Sequence, residues 1–392
     1  MSEERKQAFA KLKINPENKT ILALDGGGIR GIMTLQMLKK LEDIAGIPCY
    51  KLFNMVAGTS TGGIMAGLIA SGKTAYEIED LYIKLVKQVF KKKSWAAHRL
   101  LNPPEYSKKN YRKILKETLG DLTVKELCEK NNIDLMITAK DVVAGEETFF
   151  SYFTQNTSAK KYTYEDVLVR AALEATMSAP TYFAPLERFI DGGVTTYNNP
   201  AMAALIEAVH YGPAGKYETE KITLYSFGTG CRPQFITADN VNNPKGLDVY
   251  FWLQWIMTEA GDDASDLQNY ILRSGLIKGL DFRRFQLSLD KKAIKNLPNI
   301  DLTKIDDIAA DKLHDLSDED LADIPLDKVA LFPLMKEIGQ AITEKITELQ
   351  EHPFSTDLVD KNKKEILVSR LGAIDQIKKQ FSDAKWLDKI ES

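Results

Sequence analysis

Two short apolar segments near the N-terminus each run directly into a glycine-rich turn that opens a helix. The first, Lys19 to Asp25, is followed by GGGIRG, and the second, Leu52 to Ala57, is followed by GTSTG. Two more apolar segments of strand length follow at 133–139 and 221–227, with helical spacing between them. Buried strands that alternate with helices form a parallel sheet covered on both faces. The sequence therefore predicts an α/β fold with a mostly parallel central sheet.

The composition is that of an ordinary globular protein. The chain has 392 residues, of which 44% are apolar and 27% are charged, and its net charge is −3. This balance gives no overall attraction to nucleic acid. The three cysteines (Cys49, Cys128 and Cys231) are widely spaced and form no CxxC pair, which argues against a disulfide framework and a zinc site. We expect a protein without metal or cofactor in a reducing, cytoplasmic compartment.

The segment from Leu52 to Gly72 is uncharged throughout and is long enough to cross a bilayer. It contains five glycines and a Thr-Ser-Thr run, however, and a lipid-spanning helix could not satisfy that polar turn. The N-terminus alternates charges and has no apolar core typical of a secretory signal. We therefore expect a buried strand, turn and helix in a soluble protein.

The glycine triplet of DGGGIRG lies between a predicted strand and a predicted helix. Adjacent glycines in this setting can direct several N–H groups at one negative charge. Gly26, Gly28 and Gly31 match the dinucleotide pattern GxGxxG, but the acidic residue expected about 20 positions later is missing. No Gly-Lys-Ser/Thr follows, which excludes a Walker A loop. An oxyanion hole is the third possibility, and it requires a nearby nucleophile.

GTSTG supplies a candidate nucleophile, Ser60. The motif lies between a strand and a helix, which is the setting that a GxSxG nucleophile elbow requires. Gly58 and Gly62 flank the serine, because strand and helix pass closely at such a turn. In isolation the motif also fits a structural glycine turn. With the setting correct and a glycine triplet one strand–helix unit earlier, we predict that Ser60 is the nucleophile.

The base that would activate this serine is not an obvious histidine. The histidines of the chain are His98, His210, His314 and His352. None follows a late strand, where an α/β-hydrolase places its histidine, and GTSTG follows only the second strand. Both features argue against the α/β-hydrolase fold.

Asp191 in DGGVTTYNNP offers an alternative base. It follows the apolar stretch Phe183 to Ile190 and precedes Gly192 and Gly193. Two glycines let the carboxylate approach another backbone closely. A lone Asp-Gly-Gly is usually only a turn, but SAPTYFAP before it and NNP after it make this segment less generic.

Four motifs, DGGGIRG, GTSTGG, SAPTYFAP and DGGVTTYNNP, follow one another along the chain. In this order and spacing, together with SFGTG at 226–230, they resemble the patatin-like phospholipase family from about Thr20 to about Gly230. The resemblance implies a three-layer α/β/α sandwich. It also implies a calcium-independent hydrolase that acts on fatty acyl esters of glycerolipids, such as membrane phospholipid.

The resemblance assigns roles to individual residues. Ser60 would be the nucleophile and Asp191 its sole partner. The oxyanion hole would consist of Gly26, Gly27 and Gly28, with Arg30 beside it. Burial near Val56, Phe183 or Ile190 would raise the pKa of Asp191 above its ordinary value of about 3.9 and make it a better base.

Other functions remain open at this point. A transacylase would use the same site but transfer the acyl group to an alcohol other than water. A regulatory protein would hold a nucleotide in the glycine loop without esterase activity. A signal or partner bound to the C-terminal helices could also switch the lipase on.

A basic segment offers one way to meet a membrane. Residues 84–101 mix Lys91, Lys92 and Lys93 with Trp95 and other apolar residues, a pattern that suits peripheral contact with an anionic lipid surface. A solvated surface helix fits the pattern equally well.

The residue pattern divides the chain into an N-terminal segment (1–19), a predicted catalytic domain (20–289) and a predicted helical extension packed on the core (290–392). The aspartates between 301 and 327 do not form a calcium loop, because the glycine that an EF-hand requires is absent. We interpret them as solvated helix caps.

Overall fold

The computed structural model describes residues 1–89, 106–153, 155–156, 161–230, 249–286, 289, 294 and 327–348. The strands are β1 (Lys19–Leu24), β2 (Met55–Gly58), β3 (Asp134–Asp141), β4 (Glu146–Phe150), β5 (Gln155–Asn156), β6 (Lys161–Tyr162), β7 (Phe189–Asp191), β8 (Ile222–Phe227) and β9 (Asp281–Phe285). The α-helices are α1 (Glu3–Lys11), α2 (Gly31–Ala45), α3 (Cys49–Leu52), α4 (Thr61–Ala70), α5 (Ala75–Val89), α6 (Lys109–Leu119), α7 (Val124–Asn131), α8 (Val169–Thr176), α9 (Ala201–Ile206), α10 (Val249–Arg273) and α11 (Phe332–Glu348).

One mostly parallel sheet forms the centre of the molecule. Its strand order is β4-β3-β2-β1-β8-β9, and the five strands from β3 to β9 in this order run parallel. β4 returns antiparallel on the outer side of β3, and β7 pairs antiparallel with β3 beyond the end of β2. The carboxyl ends of the parallel strands meet at one edge, where open α/β sheets bind their ligands.

Both faces of the sheet are buried. In β1, Leu22 and Leu24 belong to the core on one face, which α1, α2, α4 to α8 and α11 cover. Ile21 and Ala23 belong to the core on the other face, to which α9 and α10 contribute. Alternate residues of a strand point to opposite faces, so a strand that is buried on both faces is apolar at nearly every position. The predicted three-layer α/β/α architecture is confirmed.

The N-terminal helix is anchored on the start of the sheet. The Ser2 hydroxyl accepts a hydrogen bond from the Arg5 N–H and caps α1. The Arg5 guanidinium donates to the carbonyl oxygen of Leu52 at 3.0 Å and to Asn54 Oδ1 at 2.6 Å. Phe9 on the same helix is buried in the core.

One predicted helix begins later than expected. The spacing predicts a helix over Tyr164–Glu174, but α8 begins at Val169. The backbone before α8 is paired with another part of the chain. Leu168 forms an antiparallel β-bridge with Thr123, and the Val169 N–H donates to the Leu122 carbonyl oxygen. A segment paired with another part of the chain cannot form its own helical hydrogen bonds.

Some predicted features fall outside the described residues. The basic segment with Lys91, Lys92, Lys93 and Trp95 is one of them, and most of the predicted helical extension (290–392) is another. Within the described ranges, none of the helices combines the length and apolar character needed to cross a membrane.

Candidate active site

A sharp turn between β2 and α4 carries Ser60. The Ser60 backbone has φ +53° and ψ −123°, a conformation that non-glycine residues rarely adopt. A Cβ atom on Gly58 would lie 2.2 Å from the Gly62 carbonyl oxygen, and one on Gly62 would lie 2.2 Å from the Leu24 carbonyl oxygen. Only glycine fits at either position. The close passage of strand and helix therefore explains both glycines of the motif.

The sheet register brings Asp191 to this turn. β2 pairs with β3 as far as Gly58, which lies opposite Ile137. On the same side of β3, β7 places Asp191 opposite Ala139. Asp191 thus occupies the position beside β3 that a continuation of β2 would take. The Ser60 hydroxyl donates a hydrogen bond of 2.7 Å to Asp191 Oδ2.

Burial changes the acidity of Asp191. The side chain is only 3% exposed. Desolvation raises its pKa from the ordinary 3.8 to about 7, against the smaller opposing effect of hydrogen bonds from the Gly193 N–H and the Ser60 hydroxyl. The Gly193 N–H lies 2.7 Å from Asp191 Oδ1. The predicted upward shift is confirmed, and such a carboxylate can take up or release a proton near neutral pH.

Gly192 allows the end of β7 to lie close against β3. A Cβ atom on Gly192 would lie 2.3 Å from Thr138 Oγ1 and 2.7 Å from the Thr138 carbonyl oxygen. A larger residue would push the following loop, and Asp191 with it, away from β3. The predicted role of this glycine in close backbone approach fits the structure.

The end of α8 and the segment that follows it contact both residues of the pair. Thr176 Oγ1 accepts a hydrogen bond of 2.7 Å from the Ser60 N–H. The Ser178 carbonyl oxygen accepts one of 3.1 Å from the Asp191 N–H. Buried Lys108 in turn donates to Ser178 Oγ at 2.7 Å. Sequence reasoning missed these contacts, although SAPTYFAP begins at Ser178.

The glycine triplet lies against Ser60. A Cβ atom on Gly26 would lie 3.1 Å from Ser60 Cβ. The Gly26 N–H is engaged, because it donates to the Asn198 carbonyl oxygen at 3.2 Å. No acceptor within the described part of the chain is bonded to the N–H groups of Gly27 and Gly28. These two groups are therefore the donors that the loop can offer to a bound ligand.

Two hydrogen bonds fix the peptide planes of these donors. Thr229 Oγ1 donates to the Gly26 carbonyl oxygen at 2.9 Å, and the Arg30 N–H donates to the Gly27 carbonyl oxygen at 3.0 Å. In a planar trans peptide, the C=O and N–H groups point in opposite directions. The N–H of Gly27 therefore points away from Thr229, and that of Gly28 points away from the Arg30 backbone.

A buried ion pair holds the beginning of the glycine loop. Arg284 of β9 donates to the two carboxylate oxygens of Asp25 at 2.7 and 2.5 Å, and to Ser226 Oγ at 2.7 Å. Both charged side chains are buried. The predicted neighbour of the loop, Arg30, is partly buried, and its positive charge acts on Asp25 and on Tyr82.

A small apolar cavity adjoins the turn that carries the serine. It is lined by Thr61, Ile64, Tyr82, Leu85, Val86, Val89, Tyr111 and Met177. The Met177 sulfur lies 3.8 Å from Ser60 Oγ. The cavity therefore ends beside the hydroxyl, and its walls suit an apolar group.

Metal ligands and histidine do not contribute to this site within the described ranges. No cluster of three or more His, Cys, Asp or Glu side chains suitable for a metal ion occurs there. His210 is the only histidine in those ranges, and it packs against Tyr211. In that part of the chain, the titratable partner of the Ser60 hydroxyl is Asp191.

Comparison with known proteins finds similarity to one family. The family model for patatin-like phospholipases matches residues 22–205. The chain is 31% identical over 267 aligned positions to the mouse 85/88 kDa calcium-independent phospholipase A2. This match covers 62% of this chain and 32% of that protein. The chain thus spans about a third of the length of that relative.

Two further relatives are covered more fully. The cUMP-AMP-activated phospholipase of Escherichia coli is 30% identical over 226 aligned positions, and the match covers 55% of this chain and 65% of that protein. Patatin-like protein 2 of rice (Oryza sativa subsp. indica) is 26% identical over 359 aligned positions, and the match covers 75% of this chain and 84% of that protein.

Proposed function

Residues 22–205 form a patatin-like phospholipase domain, and we propose that the chain is a serine lipid acyl hydrolase of the phospholipase A or lysophospholipase type. Ser60 is the nucleophile and Asp191 is the general base. The observation that carries the proposal is the hydrogen bond of 2.7 Å between the Ser60 hydroxyl and a buried carboxylate with a pKa of about 7. Such a pair can generate a nucleophile near neutral pH without histidine.

The first half of the reaction forms an acyl-enzyme. Ser60 Oγ attacks the carbonyl carbon of the ester while Asp191 takes the hydroxyl proton. The negative charge that develops on the carbonyl oxygen is stabilised by the N–H groups of Gly27 and Gly28, because these donors are held in place before the reaction. Asp191 then gives the proton to the departing lysolipid or alcohol, and the acyl group stays on Ser60.

The second half releases the fatty acid. A water molecule takes the place of the leaving group. Asp191 accepts a proton from this water as the water oxygen attacks the acyl carbonyl carbon. The same oxyanion donors act again, and Asp191 returns the proton to Ser60 Oγ as the ester bond breaks. No step requires a metal ion, and the mouse relative is named calcium-independent.

The apolar cavity accounts for a fatty acyl substrate. It ends beside Ser60 at Met177 and Thr61, and its remaining walls are almost entirely apolar. Burying each methylene of an acyl chain there contributes about 0.8 kcal/mol. This gain favours esters with an apolar acyl group.

Active-site labelling tests the assignment of the nucleophile. A fluorophosphonate reacts with an activated serine, so the wild-type protein should carry one adduct, located on Ser60 by peptide mass spectrometry. Ser60→Ala should remain unlabelled. Ser71→Ala at the end of α4 is the matched control, because Ser71 Oγ only donates to the Leu68 carbonyl oxygen, and it should be labelled like the wild type. An adduct elsewhere, or none on the folded protein, would refute the proposal.

A second candidate is a lipase switched on by a signal. It is favoured by the Escherichia coli relative, whose name describes activation by cUMP-AMP. If this chain shares that regulation, adding cUMP-AMP should raise fatty acid release several-fold. Fatty acid release that is high without the nucleotide and unchanged by it would exclude this candidate.

We propose that the protein works in a reducing, cytoplasmic compartment and that its substrate is a lipid at a membrane surface.

A further inference from the structure

Tyr82 on α5 is a buried residue that touches both halves of the candidate site. Its hydroxyl donates a hydrogen bond to the carbonyl oxygen of Gly28, the last residue of the glycine triplet. Its ring forms part of the apolar cavity beside Ser60. The side chain is 2% exposed, so that the hydroxyl is hidden from water.

The hydroxyl lies where α2 and α4 begin. A Cβ atom on Gly31, the first residue of α2, would lie 2.7 Å from the Tyr82 hydroxyl and 3.3 Å from Thr61 Oγ1. Thr61 is the first residue of α4 and directly follows Ser60. Tyr82 is therefore packed between the glycine loop and the turn that carries the serine.

The contact completes the fixation of Gly28. The peptide plane before Gly28 is held by the hydrogen bond from the Arg30 N–H to the Gly27 carbonyl oxygen. The plane after it is held at the Gly28 carbonyl oxygen by the Gly31 N–H and by the Tyr82 hydroxyl. Gly28 has φ +54°, and glycine changes such angles at little cost. The bonds from Arg30 and Gly31 both arise within the loop itself, whereas the Tyr82 hydroxyl ties Gly28 to another helix. Without it, Gly28 and the N–H that it carries are held less firmly against the rest of the site.

The C-terminal helix supports Tyr82 from behind. Phe332, the first residue of α11, stacks on the Tyr82 ring with 6.2 Å between ring centroids and 25° between ring planes. α11 is packed closely on α2, because a Cβ atom on Gly339 would lie 2.7 Å from Met33 Cα. The position of Tyr82 thus depends on a helix more than 240 residues later in the chain.

We propose that Tyr82 is a positioning residue that holds the Gly28 N–H in the oxyanion hole, and that Phe332 of the C-terminal helix keeps Tyr82 in place. The inference rests on the proposed function. It gives α11 a part in catalysis through Tyr82 rather than through contact with the substrate.

The test separates the hydroxyl from the ring. Tyr82→Phe keeps the cavity wall and removes the hydrogen bond, so with p-nitrophenyl butyrate it should lower kcat about 10-fold or more while KM stays within twofold. The expected loss lies below the 10²–10³-fold cost of deleting an oxyanion donor, because the donor is still present but less well held. Tyr76→Phe is the matched control on the same helix. Tyr76 is exposed and bonded to Asp43, so its variant should match the wild type.

Phe332→Leu provides an independent variant should Tyr82→Phe fold poorly. It should lower kcat in the same direction with KM little changed, and combining it with Tyr82→Phe should add little, since both act on Gly28. Wild-type kcat in Tyr82→Phe and in Phe332→Leu would overturn the inference. So would equal losses in kcat and in the fraction of folded protein. If the wild type itself carries no fluorophosphonate on Ser60, the proposed function has failed rather than this inference.

Discussion

At the scale of single residues, the proposed chemistry depends on a carboxylate that the fold makes more basic. Asp191 is buried away from the solvent that would stabilise its charge, and its pKa of about 7 follows from that burial. The same burial aligns it with the Ser60 hydroxyl at 2.7 Å. A stronger base and a fixed donor are what a serine needs when a carboxylate rather than a histidine acts as its base.

The pH dependence of kcat/KM follows from the sign of this shift. The proposed reaction requires Asp191 as a carboxylate, and the pKa of Asp191 is raised to about 7. The rate should therefore increase about tenfold per pH unit below pH 7 and level off above it. Initial rates with p-nitrophenyl butyrate between pH 5 and pH 9 measure this. A profile that is flat down to pH 5 would contradict the role of a buried Asp191.

Asp191→Asn is the matched variant for that profile. It should lose about 10²–10⁴-fold in kcat, the usual contribution of a general base. In the wild type, the Asp191 carboxyl binds its proton more tightly in the folded protein, where its pKa is about 7, than in the unfolded chain, where its pKa is near the ordinary value of 3.8. The folded wild-type protein therefore loses stability as the pH rises from the lower to the higher of these two pKa values. Asn cannot ionise, so the variant should melt above the wild type at pH 8, and this difference should shrink at pH 5.

The sequence reveals the residues of this site that lie in local motifs and hides those that reach it from afar. Ser60, Asp191 and the glycine triplet stand in turns that can be recognised within a few positions. Thr176 contacts Ser60 across 116 positions, and Tyr82 contacts Gly28 across 54. Neither has a neighbouring pattern that distinguishes it from an ordinary core residue.

At the scale of elements, the strand and the helix on either side of Ser60 pass so closely that no side chain fits between them at the glycines of the turn. These glycines are required by backbone contacts rather than by flexibility. The long parallel strands were predictable from their apolar runs. β7 was not, because it has only three residues, and β9 was hidden by Arg283 and Arg284, which are buried through hydrogen bonds rather than through apolar character.

Gly62→Ala should destabilise the protein by about 2 kcal/mol or more, since the new Cβ would meet the Leu24 carbonyl oxygen at 2.2 Å and the backbone must move. Gly261→Ala in α10 is the control, because a Cβ there meets no heavy atom within 4 Å. It should gain about 0.5–1 kcal/mol from helix propensity. Urea unfolding of both variants decides the matter. Equal stabilities would mean that the turn can relax.

At the scale of the whole molecule, distant parts of the chain meet at the carboxyl edge of the sheet. Asp25 precedes the glycine loop, whereas its partner Arg284 lies on the last strand of the sheet. α11 reaches the same region through Phe332. The glycine loop is thus held by segments from the beginning and the end of the described chain.

Arg284→Met should cost about 3–5 kcal/mol, because it leaves the Asp25 carboxylate buried without its partner. Adding Asp25→Asn should restore part of this loss, since no buried charge then remains. Lys51→Met breaks the exposed pair with Glu4 and should cost less than about 1 kcal/mol. Thermal and urea unfolding of these variants measure the difference. An Arg284→Met loss no larger than that of Lys51→Met would argue against a structural role for the buried pair.

The most direct test of the central claim is fatty acid release from mixed phospholipid vesicles in the presence of a calcium chelator. The wild type is compared with Ser60→Ala at equal concentrations of folded protein. We predict release by the wild type and none above background by the variant. Equal release by both proteins, or release by the wild type only after calcium is added, would contradict a calcium-independent lipid acyl hydrolase that acts through Ser60.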